Sequence, residues 1–273
     1  MSRLLLLRLE GPLQSWGGRS RWDVRDTEAE PTKSGLVGLL GCALGYERGD
    51  MRLVEELDAG LRLGVRTDAP GRILEDYQTI TDFLPTAAGD FKVLGGTKSG
   101  KALRTDPNAR PATIISPRFY LEDAAFLAAL EATQAAPSDL LLRCAEALQN
   151  PYWPLFLGRR ACVPSRPILD SLTDRYAGLE DALRRHPWSQ LGAGTYRRPV
   201  TERERERILT ASLEDADGPL TRQDALRLNA GRQYGFRRVR PLHPPLRLRD
   251  VYSDIHSGIH SDASLDVSSK EVL

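Results

Sequence analysis

Apolar positions along the chain fall into short runs, some alternating with polar residues and others recurring at helical spacing, the pattern of a mixed α and β protein. Residues Ser2 to Glu10 form an apolar run with basic punctuation, broken by Gly11-Pro12, and read as an opening strand. Leu13 to Pro31 has no sustained period and reads as a loop. Beyond it Leu36, Leu39, Leu40 and Leu44 recur at helical spacing, with Thr32 or Ser34 as cap and Gly45 at the end. Gly35, Gly38 and Gly41 lie three apart and suit close packing of that helix on a sheet. Asp50 to Gly60 repeats a short helical pattern, and Leu61 to Thr67 alternates as a half-buried strand does. Ala125 to Leu130 fits either a strand or a short helix. Ser138 is a suitable cap for a helix through Leu148 that Asn150-Pro151 ends, and Tyr152 to Leu157 is an apolar run placed to supply a further strand. Strand, helix, strand, insertion, strand, helix, strand is the α+β order of a ferredoxin-like unit, whose sheet presents a face or an edge loop to RNA.

The insertion, roughly Leu74 to Arg118, changes the picture through its charge. Residues 89 to 118 hold Lys92, Lys98, Lys101, Arg104, Arg110 and Arg118 against only Asp90 and Asp106, in a chain whose net charge is +1. The remainder is therefore slightly acidic, and the basic character is local. Glycines and prolines through the window favour turns over a long helix. A cationic arm on an acidic body suits a polyanion. From Pro164 onward prolines cut the chain into short pieces. Thr201 to Arg207 alternates Glu and Arg as a solvated face does, and Arg237 to Arg249 mixes arginines with prolines and leucines as an extended segment over the body. The expected organisation is a domain over 1–165, a C-terminal region over 166–252 and a Ser- and Asp-rich disordered tail over 253–273.

Other chemistry is thin. With 273 residues, 41% of them hydrophobic, the chain can bury a substantial core, and no apolar run reaches membrane-spanning length. Leu4 to Leu7 is too short for a signal peptide, so a cytoplasmic protein is expected. Cys42, Cys144 and Cys162 are few, scattered and set among small or apolar neighbours, which predicts buried thiols and neither a disulfide nor a metal framework. Gly95 to Lys101 nearly spells a phosphate-cradling loop, but position 102 is Ala, which lacks the required hydroxyl, and no helix is expected after it. His256 and His260 have metal-ligand spacing only if helical, which Gly258 opposes. No cofactor or metal is expected. Trp16, Trp22, Tyr77, Phe91, Phe119 and Tyr120 sit beside cations, the combination that stacks bases while neutralising phosphates.

Four segments then carry a resemblance. They are Leu9-Glu10-Gly11-Pro12-Leu13-Gln14-Ser15-Trp16-Gly17, Pro31-Thr32-Lys33-Ser34-Gly35-Leu36 with Leu39-Leu40-Gly41, Asp76-Tyr77-Gln78-Thr79, and Leu157-Gly158-Arg159-Arg160. In order and spacing they resemble the fifth-family RAMP subunits of type I-E CRISPR Cascade complexes. That resemblance implies a ferredoxin-like (RRM/RAMP) palm, an inserted basic β-hairpin thumb and an irregular, β-containing C-terminal region. It further implies a non-catalytic subunit that binds the 5′ handle of the CRISPR RNA and contacts the backbone and large subunits of the complex. The implied RNA-binding set is Gln14, Trp16, Arg19, Lys33, Ser34, Tyr77, Lys92, Lys98, Lys101, Arg104, Arg110, Arg118, Arg159 and Arg160. Arg118, followed by Phe119-Tyr120, matches the family's RNA-contacting arginine. Relatives of another type cut the precursor RNA themselves, so a metal-independent endoribonuclease is the alternative, and a pure protein scaffold a third.

Overall fold

A computed structural model describes residues 3–18, 24–188, 201–228 and 233–251. Strands β1 (Leu4–Glu10) and β2 (Leu13–Gln14) precede helix α1 (Lys33–Leu44), and a π-helical turn over Leu53–Asp58 leads into β3 (Leu61–Ala69). There follow β4 (Arg72–Asp82), β5 (Phe91–Val93), β6 (Gly96–Lys98), α2 (Gly100–Thr105) and β7 (Ala112–Glu122). The chain continues through β8 (Ala125–Ala132), α3 (Leu140–Gln149), β9 (Leu169–Thr173), α4 (Leu179–Arg185) and α5 (Glu202–Arg205). It closes with β10 (Ile208–Leu209), β11 (Ala211–Glu214), β12 (Leu220–Arg227), β13 (Gln233–Pro241) and β14 (Leu246–Arg247).

The main sheet is antiparallel throughout, in the order β12-β13-β11-β3-β8-β1-β9. Its strands β9-β1-β8-β3, joined through α1 and α3, make a β-α-β-β-α-β unit. Strand β1 reads as an unbroken apolar run because both its faces are covered. Leu5, Leu7 and Leu9 pack under α1 and α3, whereas Leu4 and Leu6 pack under α4. Thr32 caps α1 by accepting the Gly35 N–H at 3.2 Å, and left-handed Gly45 ends it, as the sequence predicts. Residues 125–130 are strand, hydrogen-bonded to β1 on one side and β3 on the other. No helix among the described residues is long and apolar enough to cross a membrane.

Several expectations are corrected. Tyr152 to Leu157 is loop, because Pro151 and Pro154 bracket two largely exposed aromatics; the strand beside β1 is Leu169–Thr173. Helix α3 begins after Asp139, with no side-chain cap, so Ser138 does not serve. Within α1 only Gly35 and Gly41 pack closely, against Trp16 and Leu53, and neither contact is with the sheet; Gly38 opens onto space. The region after residue 165 is less irregular than expected: β9 joins one edge of the main sheet and β11 to β13 extend the other. The Arg-rich run does not lie extended over the body but sits in β13, β14 and their surroundings, fixed in ion pairs. Arg237 pairs with Asp224, Arg240 with Asp215 and Glu180, and Arg247 and Arg249 with Glu206. The predicted tail lies outside the described residues, as do His256 and His260.

Between β3 and β8 the chain leaves the sheet as a hairpin. β4 and β7 pair along their full length, from Arg72 with Glu122 to Asp82 with Ala112, and β2 adds to the β7 side. The cations are not spread along it. Strand β4 carries Arg72 against Glu75, Asp76 and Asp82, while Lys92, Lys98, Lys101, Arg104 and Arg110 occupy the tip built from β5, β6, α2 and the connecting residues. A helix does start at Gly100, against expectation, capped by Ser99; it has six residues, none buried.

Candidate nucleic-acid interface

Three of the four motif segments converge on one open cleft of about 560 Å³. Gly11-Pro12 turns the chain out of β1, and Gln14 locks the next stretch. Its amide donates to the Leu9 carbonyl at 3.0 Å and the Ala124 carbonyl at 2.7 Å, and its Oε1 accepts the Trp16 indole N–H at 3.0 Å. The Trp16 ring is buried against Gly35, where a Cβ would come within 2.9 Å of it. Ser15 N–H donates to the Leu157 carbonyl at 3.0 Å, and a Cβ on Gly158 would lie 1.8 Å from the Ser15 oxygen. With φ at +102° as well, residue 158 has to be glycine. Residues 15–18 and 154–159 are thereby tied to each other and together wall the cleft. Ser34, Gly35 and Gly38 of α1 form the floor, and a Cβ on Gly38 would meet nothing within 4 Å.

The predicted RNA-binding residues separate into distinct roles. Gln14 and Trp16 are structural, with donors and ring consumed inside the protein. Lys33 is also buried, its Nζ bonded to Glu214 at 2.9 Å and its N–H to Asp224 at 2.8 Å. Ser34 is buried yet lines the cleft. Arg159 does not present its fork outward. It donates to the carbonyls of Phe119 (3.0 Å), Arg25 (2.8 Å) and Asp26 (3.1 Å), with its guanidinium 4.8 Å from the Tyr120 ring centre. Tyr120 is therefore committed as well, and Arg159 pins the hairpin base to the cleft wall. Arg160 is exposed.

On the hairpin, Tyr77 is opposite Pro117 and Arg118 opposite Asp76. Side chains alternate along a strand, so Tyr77 and Arg118 lie on opposite faces and cannot meet one RNA segment from one side. Arg118 is half-buried, and its Nε is enclosed with no hydrogen-bond partner. Lys98 is paired with Asp106, which holds that carboxyl below its usual range through the lysine's hydrogen bond. Lys92, Lys101, Arg104 and Arg110 are exposed at the tip. Arg19 and Trp22 lie outside the described residues.

Sequence reasoning missed Arg25. Its N–H donates to the Pro117 carbonyl at 2.9 Å and its carbonyl accepts from Phe119 at 2.8 Å, a bridge that places its exposed side chain on the cleft. No periodicity marks that position; only its Arg-rich surroundings hint at it. Of the cysteines, Cys144 and Cys162 are buried and Cys42 lines the cleft. Burial pushes the Cys144 thiol up to about 12 and raises Cys42 as well, so neither is ionised near neutrality. Among the described residues no group of His, Cys, Asp or Glu is placed to hold a metal ion.

A β-α-β-β-α-β sheet with an inserted hairpin and a Gly-floored cleft at its base defines the class of molecule. The chain belongs to the CRISPR-associated protein (Cas_Cas5) family, whose sequence model matches residues 4–240. It is 34% identical over 169 residues to the CRISPR system Cascade subunit CasD of Escherichia coli strain K12, covering 62% of this chain and 70% of that protein. A solved chain described as "CRISPR RNA-guided surveillance complex" matches with a TM-score of 0.63 and 30% identity, over 93% of this chain and 98% of its own length. Another, described as "Crystal structure of Cas protein", matches with a TM-score of 0.57 and 33% identity, over 91% and 97%.

Proposed function

We propose that this chain is a non-catalytic, RNA-binding subunit of a Cascade-type CRISPR surveillance complex, which anchors and caps the 5′ handle of the CRISPR RNA. In this reading the β-α-β-β-α-β unit is the ferredoxin-like palm and the β4–β7 hairpin the thumb, and the backbone and large subunits of the complex are its protein partners. The observation that carries it is the convergence of three family motif segments on one cleft, with Arg25 at the edge and a glycine floor. Small floor residues let a nucleotide lie close to the α1 backbone, and the Arg25 guanidinium bonds its phosphate. Bases of a single strand splayed from their stack are the form in which RNA is read by side chains. The tip cations supply attraction without sequence preference.

The ribonuclease alternative needs a general base beside the scissile phosphate. The thumb contains no histidine, and Tyr77 lies on the stem whereas Lys101 lies on the tip helix. The test is to purify the chain with its complex from cells expressing a CRISPR array and sequence the bound RNA, then incubate the chain with labelled repeat RNA. The expected result is a bound RNA of uniform 5′ end, and binding of repeat RNA without a 2′,3′-cyclic phosphate product. Cutting by the wild-type chain alone, lost in Tyr77→Phe or Lys101→Ala, would replace this reading with the enzyme.

A further inference from the structure

Beside the cleft lies a second pocket of about 490 Å³, on the other side of the same helix face. Ser34, Gly38 and Cys42, one turn apart on α1, line both. From Ser34 to Cys42 the helix rises about 12 Å, so the two pockets flank one row of that length side by side, and a strand in the cleft reaches the second pocket by crossing the row. The second pocket has a different lining: Leu53 and Leu226 form an apolar wall, Trp153 an aromatic one, and Arg48 stands at the rim. None of its lining residues is a carboxylate.

Two features suit it to a flat, apolar ring attached to a phosphate. Trp153 is 37% exposed, yet it is held, edge-to-face with Tyr152 at 4.8 Å between ring centres, while the Tyr152 N–H is bonded to the Ala43 carbonyl at 2.9 Å. The neighbouring Arg52 is committed, stacked 3.9 Å from the Tyr46 ring centre and paired with Asp50. Arg48 is exposed and makes no ion pair or hydrogen bond among the described residues. An aromatic face with an unengaged cation beside it, continuous with a groove for single-stranded RNA, is a base-stacking platform.

We propose that this second pocket receives one unstacked base of the same RNA strand, its face on Trp153 and its phosphate on Arg48. The proposal rests on the RNA-binding reading above. To test it, the RNA recovered with the complex is resynthesised with an abasic site at each position in turn and bound to the full chain at physiological salt. Wild type should lose about ten-fold in affinity at one position beyond those the cleft reads. Trp153→Ala should lose about as much with intact RNA and nothing further with that abasic RNA, whereas Trp153→Phe keeps most of the affinity. Arg48→Ala should weaken all the RNAs alike and flatten their salt dependence. Wild-type affinity in Trp153→Ala, or losses that add at every abasic position, would overturn the pocket and leave the cleft reading intact. So would unchanged RNA affinity with lost subunit assembly, which assigns the pocket to a partner's apolar side chain. Failure of the wild-type chain to hold any RNA would overturn the function proposed above.

Discussion

Gly38, on the floor of the cleft, and Arg159, in its wall, test it in opposite ways. Gly38 has helical backbone and open space where a side chain would project. Gly38→Ala should therefore raise stability by about 0.5 to 1 kcal/mol, read by chemical denaturation, because glycine is a poor helix residue. Gly38→Gln should fold equally well and lose at least ten-fold in RNA affinity by filling the cleft, a magnitude of order one stacked base; unchanged affinity would remove the cleft from the binding path. Arg159→Lys should do the reverse, lowering stability by about 1 to 3 kcal/mol, since a point charge cannot serve three carbonyls that a planar fork reaches together. The sequence singled out both residues. What spacing cannot say is that Gly35 and Gly41 are filled from outside while Gly38 is not, nor that the Arg159 fork turns inward, since both depend on segments brought from as far as 134 residues away.

At the scale of elements, the hairpin separates charge from aromatic surface. Arg25 bridges β7 at Arg118, six residues from the Ala112 end, which at a strand's rise is about 20 Å, so the tip cations stand away from Arg25 and the cleft, with acidic stem between. Replacing Lys92, Lys101, Arg104 and Arg110 by Gln should reduce the slope of log affinity against log salt by about 0.7 for each phosphate no longer neutralised. Tyr77→Ala, which removes no charge, should leave that slope unchanged, which parallel titrations of both variants will read. The local excess of cations was visible in the sequence because charge needs no register. Which face each residue takes was not, because the pairing of β4 with β7 fixes it, and a one-residue slip reverses every assignment. The misplaced strand at Tyr152 to Leu157 has a similar cause: its apolar residues serve a loop that packs on α1, and Pro151 and Pro154 outweigh the run.

On the scale of the whole molecule, the sheet face away from the cleft is held by a buried polar network that no spacing could reveal, since its members come from β1, β3, β9 and the end of α4. Arg8 bonds Asp68 at 2.9 Å and Asp170 at 3.3 Å, Arg66 pairs with Asp68, and His186 bonds Asp170 at 3.2 Å and Tyr176 at 3.1 Å. Burial pushes the His186 imidazole below its usual value, against the opposing hydrogen bond to Asp170, and nearby Arg8 and Arg66 push it the same way. The folded protein thus holds this ring neutral where the unfolded chain, with its ordinary value near about 6.5, takes up a proton. Stability from this group is complete above about pH 6.5 and is lost as pH falls from there through the folded value. Asp170 adds a loss at lower pH: burial raises it, but the His186 hydrogen bond and the Arg8 guanidinium outweigh that and hold it low, so its stabilisation fades only below about pH 4. Glu30 and Asp58 act in the opposite sense, because burial raises both and their protonation in the fold returns stability as pH falls. Comparison with His186→Gln isolates the imidazole from these. Between pH 7.5 and 5.5 the wild-type Tm should fall by more than that of the variant, with RNA affinity unaltered at pH 7.5. A wild-type Tm that fell by less than the variant's would mean that His186 is already charged in the fold, and that the Arg8–Asp170 network is built around an imidazolium; equal changes would mean that folding leaves the ring's titration unshifted.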